Sequence, residues 1–188
     1  MEQLDGVRQV ALVPHEDERG SFTEVFATHW DTGVEPTQWS LVRSEARALR
    51  GMHIHARHGE YLSVLSGVLW VGLHDLRPTS PTRGMGQLIR LSGDEPSGLS
   101  IPSGIVHGWI AEVAAAHLQA VSESFATYGA DDNEGCRWDD PDLGFTWPLA
   151  PTLVSARSEA FGSLSDLRAA REGPGVPAAT AGTDAAAR

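Results

Sequence analysis

Short runs rich in β-branched and aromatic residues, separated by glycine and proline, recur along the whole chain. Runs of this kind, bounded by turn residues, predict strands. They fall near residues 7–13, 21–26, 37–42, 52–56, 61–65, 68–73, 86–91, 99–101, 106–110 and 118–125. Ser66-Gly67 signals a turn between two of them, and residues 78–84 read as a loop by composition. Many short strands with turns at close spacing predict an all-β sandwich or barrel. Helical pattern is confined to residues 165–171, with Ser163 or Ser165 as the N-cap. Beyond it the chain turns to Gly, Pro, Ala and Thr, which cannot bury enough apolar surface to offset the cost of ordering. The expected organisation is one domain over residues 1–171 and a disordered tail over residues 172–188.

A chain of 188 residues with 41% hydrophobic positions is long enough for one domain with a real core. The formal net charge of -11 repels phosphate backbones and anionic lipid headgroups, which argues against nucleic-acid and membrane-surface partners. It leaves room for a local basic pocket that takes one small anion. Cys136 is the single cysteine, so neither an intramolecular disulfide nor a cysteine zinc knuckle is available. The start, Met1-Glu2-Gln3-Leu4-Asp5, lacks a basic and then apolar leader, and no segment approaches a membrane span. A cytoplasmic location is expected.

The candidate chemistry lies between Gly51 and Gly67. On a strand, side chains alternate between faces, so His53 and His55 point to one side and Met52 and Ile54 to the other. Glu60 follows after four intervening residues, which suits a chain that turns and returns, bringing the carboxylate opposite the imidazoles. A second segment, Ile101–Gly108, adds His107. Three neutral imidazoles and one carboxylate suit a divalent metal such as zinc, iron, manganese or nickel, with open positions for a substrate. The competing reading is a set of polar residues on an exposed strand face. His58 falls in the loop between the ligands and reads as solvent-exposed; His15, His29, His74 and His117 read as ordinary isolated histidines.

At these residues the chain resembles the cupin superfamily. His53-x-His55-x4-Glu60-x6-Gly67 matches its first motif, and Pro102-x-Gly104-x-x-His107 the core of its second. The resemblance implies a double-stranded β-helix, the jelly-roll or cupin barrel, here with a short C-terminal helix. It also implies a metal held inside by His53, His55, Glu60 and His107. Two positions depart: Arg47 stands where a glycine is expected, and Ala111 where an asparagine is.

A longer resemblance covers almost the whole chain. Residues 18–24, 49–53, 75–77, 80–84, 101–108 and 138–148 are similar, in order, to the dTDP-4-dehydrorhamnose 3,5-epimerase family, a branch of the cupins. The resemblance implies a homodimer with exchanged N-terminal strands. It also implies a histidine base paired with an aspartate, a lysine that steadies the enolate, and a tyrosine acid. The histidine maps onto His53, but the lysine maps onto Glu60, the tyrosine onto Ser122 and the aspartate onto Ala156. Tyr128 corresponds to a second tyrosine of the family. The nucleotide diphosphate side is better kept: it maps onto Arg19, Glu24, Gln38 and Arg50, with Ser40 where an asparagine is expected. Arginine suits bidentate phosphate contact.

Glutamate at the lysine position puts the wrong sign of charge beside a developing oxyanion unless a cation accompanies it. The expected function is therefore a metal-dependent isomerase or epimerase acting beside a carbonyl, in deoxysugar or specialised-metabolite biosynthesis. His53, Glu60 and His107 are its catalytic candidates, and its partner is a small molecule such as a nucleotide-linked sugar. A metal cupin oxygenase, cyclase or lyase is the alternative, and a non-catalytic sugar-binding relative the third reading.

Overall fold

The structure is a computed structural model that describes residues 3–128 and 132–172. Two five-stranded antiparallel sheets face each other. One has the order β1 (Arg8–Ala11), β9 (Ser97–Ile101), β6 (Glu60–Ser66), β11 (Ala115–Val121), β4 (Gln38–Ser44). The other runs β12 (Glu134–Gly135), β5 (Leu49–Ile54), β10 (Ile105–Ala111), β7 (Val68–Asp75), β8 (Gly86–Ser92). A separate hairpin joins β2 (Pro14–Asp17) to β3 (Gly20–Thr23). This is the jelly-roll barrel expected from the sequence.

Alternation sorts the side chains into an inner and an outer layer. Leu62, Val64, Leu69, Val71, Leu73, Leu99, Ile105 and Trp109 form the core between the sheets. Met52, Ile54, Val106 and Leu143 belong to a second core, closed by Leu164, Leu167, Trp138, Phe145 and Trp147 from the C-terminal segment. That covering layer explains why β7 and β10 read as nearly continuous apolar runs: both their faces are packed. Gly67, at φ 77°, makes the turn from β6 to β7, and a Cβ there would meet the Ala114 carbonyl oxygen at 2.3 Å.

Several boundaries differ from the sequence expectation. β2 went undetected because its residues, Pro-His-Glu-Asp, are polar and all exposed. The strand expected to reach residue 125 ends at Val121, and Phe125 opens a short helix, α1 (Phe125–Tyr128). β5 ends at Ile54, so His55 lies just past the strand. After another short helix, α2 (Ala156–Glu159), comes α3 (Leu164–Glu172), capped by Ser163. The Ser163 hydroxyl accepts from the Asp166 amide, and the Asp166 carboxylate accepts from the Ser163 amide, both at 3.1 Å. The expected tail beyond Glu172 lies outside the described residues. Among the described residues no helix is long and apolar enough to cross a membrane.

Arg47, in the place of the cupin glycine, adopts φ 61°. That left-handed backbone is uncommon for a residue with a side chain. Backbone pairing holds it: the Arg47 amide donates to the Ala111 carbonyl at 2.7 Å, and the Ala111 amide to that of Ala48 at 3.1 Å.

Candidate active site

The polar residues gather at one end of the barrel interior. His53 on β5 and His107 on β10 are direct register partners, so both rings enter from the same sheet. Glu60, the first residue of β6, enters from the other. Its Oε1 lies 3.3 Å from His55 Nε2, and its Oε2 lies 3.3 Å from His107 Nε2. Gln119 on β11 donates to Oε1 at 3.0 Å, whereas Oε2 lacks a partner with hydrogen-bond geometry.

The far nitrogens of two imidazoles are fixed by backbone carbonyls. His107 Nδ1 donates to Ile105 O at 3.0 Å and His55 Nδ1 to Asp132 O at 2.6 Å. A carbonyl can only accept, so both Nδ1 atoms carry hydrogen, and a neutral ring then turns an Nε2 lone pair toward Glu60. Lone pair against carboxylate is repulsive, so a proton or a cation must lie between them. Burial pushes the Glu60 carboxyl up, but the His107 and His55 rings outweigh it and hold it well below the usual range. Burial lowers His107, but Glu60 outweighs it and raises the ring above its ordinary value.

His53 has a different environment. Burial, then the neighbouring His107 and His55, lower its pKa to about 3, so it is a neutral base. Its ring meets Phe161 edge-on at 5.8 Å, and it opens on a pocket of about 330 Å³ shared with Arg50, Leu153, Ser155 and Ser158. Ala156, at the position of the family's aspartate, begins α2 between those two serines. The charged groups that act most on His53 are His107, His55, Arg157 and Glu60.

The reading of His58 as solvent-exposed is overturned: the residue is 1% exposed. Its ring stacks on His55 at 4.0 Å and on Tyr128 at 4.3 Å. Asp132 closes over it, its carboxylate 3.1 Å from His58 Nδ1 while accepting the Ala56 and Arg57 amides at 2.5 and 3.0 Å. No spacing in the sequence points to Asp132, which lies 74 residues from His58. The bland reading of His117 also missed its setting: it is fully buried, with both ring nitrogens unpartnered, edge-on to Trp109.

Of the expected substrate-binding residues, Tyr128 joins the cluster and Arg50 shares the pocket of His53. Arg50 is braced by Ser44 Oγ at 3.2 Å and the Arg43 carbonyl at 3.0 Å. Gln38 is committed to accepting the Phe125 amide at 3.0 Å. Arg19 pairs with Asp17 on the exposed β2–β3 hairpin, and Glu24 is exposed just beyond it; within one chain neither is brought to the cluster. Ser122, at the family's tyrosine position, accepts the Gly59 amide at 3.0 Å and so ties the histidine loop to β11.

The donor set fits a divalent cation. Cis ligands about 2.1 Å from a metal lie about 3 Å from each other, close to the two 3.3 Å separations at Glu60. Metal-bound histidines normally donate their other N–H to an oxygen, as His55 and His107 do. The expected quartet does not converge as a whole. Among the described residues, the donor atoms found within 4.8 Å of one another belong to His55, His58 and Glu60, and His53 is not in that group.

A jelly-roll barrel with histidines and a carboxylate directed into one end is a cupin-type fold. The model of the dTDP-4-dehydrorhamnose 3,5-epimerase family matches residues 1–166, and the chain belongs to that family. It is 32% identical over 152 residues to the dTDP-4-dehydrorhamnose 3,5-epimerase of Methanothermobacter thermautotrophicus, covering 78% of this chain and 81% of that protein. It is 29% identical to the spore coat polysaccharide biosynthesis protein SpsL of Bacillus subtilis, covering 77% of this chain and 96% of that one. Among solved structures, the Mycobacterium tuberculosis RmlC epimerase superimposes with a TM-score of 0.82 at 25% identity, covering 90% of both chains. The Legionella pneumophila RmlC in complex with dTDP-4-keto-L-rhamnose does so at 0.78 and 27%, covering 87% of this chain and 90% of that one.

Proposed function

We propose that the protein is an isomerase or epimerase that moves a proton beside the keto group of a nucleotide-linked deoxysugar. The observation that carries this reading is His53: a neutral, largely buried imidazole that opens on a pocket and does not contact the Glu60 carboxylate. Family membership and the relatives' dTDP-sugar substrates supply the substrate class.

In this reading Arg50 anchors the diphosphate at the pocket mouth, and the sugar ring enters toward the cluster. His53 takes the proton from the carbon beside the carbonyl, and inversion follows when a proton from solvent reaches the opposite face of the enolate, which a base confined to one face cannot serve. The enolate oxygen then needs positive charge, which the family's lysine position no longer offers. A divalent metal (zinc, iron, manganese or nickel) held by the cluster around Glu60 would polarise that oxygen. Glu60 and His107 set the electrostatics of the site, and Tyr128 walls it beside His58.

Exposed Phe22, Trp39 and Leu41 on the hairpin and on edge strand β4 support a second copy of the chain as a partner. Light scattering on the purified protein tests that: twice the 20.1 kDa chain mass is expected, and the mass of one chain would refute it.

Incubation with dTDP-4-keto-6-deoxyglucose, followed by NMR of the product, tests the activity. Inversion next to the keto group is expected. Unchanged sugar in the presence and absence of added divalent metal would oppose the reading.

A further inference from the structure

We infer that the chain's cation seat is formed by His55, His58 and Glu60, with Asp132 as its outer clamp, leaving His53 free for proton transfer. The inference deepens the proposal that a metal replaces the family's lysine.

Three observations converge on this set. First, one ring nitrogen of each histidine and a Glu60 oxygen lie within 4.8 Å of one another, and all three residues are buried. Second, among the described residues two sealed polar atoms here lack a hydrogen-bond partner: His58 Nε2, and Glu60 Oε2, which has only His107 Nε2 at 3.3 Å. A buried imidazole nitrogen and a buried carboxylate oxygen left without partners are costly, and one cation satisfies both. Third, both histidines are already oriented as metal ligands are. Asp132 holds His55 Nδ1 through its carbonyl at 2.6 Å and His58 Nδ1 through its carboxylate at 3.1 Å. One residue thus sets both rings, and the Ala56 and Arg57 amides fix its carboxylate in turn.

His53 lacks these features. It lies outside the convergent group, its ring centre is 6.5 Å from that of His55, and its neighbours are Phe161 and the α2 segment. If it were a ligand, the chain would lose the base that its family uses. With His58 as the ligand, the site keeps both a cation and a base. His107, on the opposite sheet, lies 3.3 Å from the same Glu60 oxygen, Oε2, and steadies the carboxylate there.

The test uses the full chain, stripped with chelator and titrated with Co²⁺, reading bound metal per chain and the visible absorption of the bound ion. One ion per chain is expected. His58→Phe keeps a ring in the stack between His55 and Tyr128 but removes the ligand nitrogen. It should weaken binding at least 100-fold with the near-UV dichroism unchanged. Asp132→Asn should weaken it about 10- to 100-fold, and His53→Ala should leave it within threefold. Failure of the wild-type chain to bind Co²⁺ overturns the proposal. So does the reversed pattern, with binding lost in His53→Ala and kept in His58→Phe. Because metal is read on the protein alone, a chain that binds Co²⁺ but leaves the sugar unchanged counts against the epimerase reading and not against the seat.

Discussion

His53 and His107 face each other as register partners on β5 and β10, yet their rings serve different partners. His107 places Nε2 3.3 Å from Glu60 Oε2, whereas His53 turns its ring edge-on to Phe161. An imidazole that opens on the pocket and a carboxylate-bound imidazole thus sit side by side without being joined to each other, and in the proposed reading the first is the base. His53→Asn should therefore lower kcat about 10²- to 10⁴-fold, the usual contribution of a general base. Metal content and the thermal transition should remain near wild type. Steady-state kinetics beside elemental analysis check this.

Glu60 balances two imidazoles and accepts from Gln119. Glu60→Gln keeps the shape and removes the charge. A loss in kcat of at least about 100-fold is expected, the scale on which removal of one preorganised electrostatic group acts. KM should change far less.

In the proposed reading Arg50 holds the other end of the substrate. Its guanidinium is held by Ser44 and Arg43 at the mouth of the pocket. Arg50→Ala should raise KM about tenfold with kcat nearly unchanged, because a contact to the diphosphate is made equally in ground and transition states. Free dTDP should weaken as an inhibitor in parallel.

His117 makes a prediction about stability. Burial first, then Arg50, lowers its pKa to about 4, with Glu60 opposing. Above about pH 6.5 the ring is neutral whether the chain is folded or unfolded, and acid stability is unaffected. As pH falls from about 6.5 toward 4, the unfolded chain takes up a proton that the folded chain refuses, and stability drops. By pH 5 this one residue should cost about 2 kcal/mol. Urea unfolding at pH 7 and pH 5 should show a smaller acid loss for His117→Phe than for wild type.

Much of the barrel was legible in the sequence because burial on both sides of a sheet leaves a periodic trace. Met52 and Ile54 packing outward while His53 turns inward follows from the two-residue period alone. Glu60 could be placed opposite His55 because only a short loop separates them. β2 left no trace, since neither of its faces is buried. Asp132 was invisible for a different reason: it reaches His58 through the closure of the barrel, across 74 residues. His58 was misread with it, because a histidine in a polar loop looks exposed until the carboxylate that covers it is known. Arg47 departs from the motif's glycine and yet adopts a left-handed backbone at φ 61°, a conformation that glycine takes up freely.

The central claim is that His53 moves a proton beside a carbonyl. Incubating wild-type protein and His53→Asn with dTDP-4-keto-6-deoxyglucose in deuterium oxide tests it most directly, with NMR reading label at the carbons next to the keto group. The account predicts deuterium at one or both of these carbons with wild type, and loss of it in His53→Asn. Unlabelled sugar with the metal-loaded wild-type protein, or equal labelling by both proteins, would contradict it.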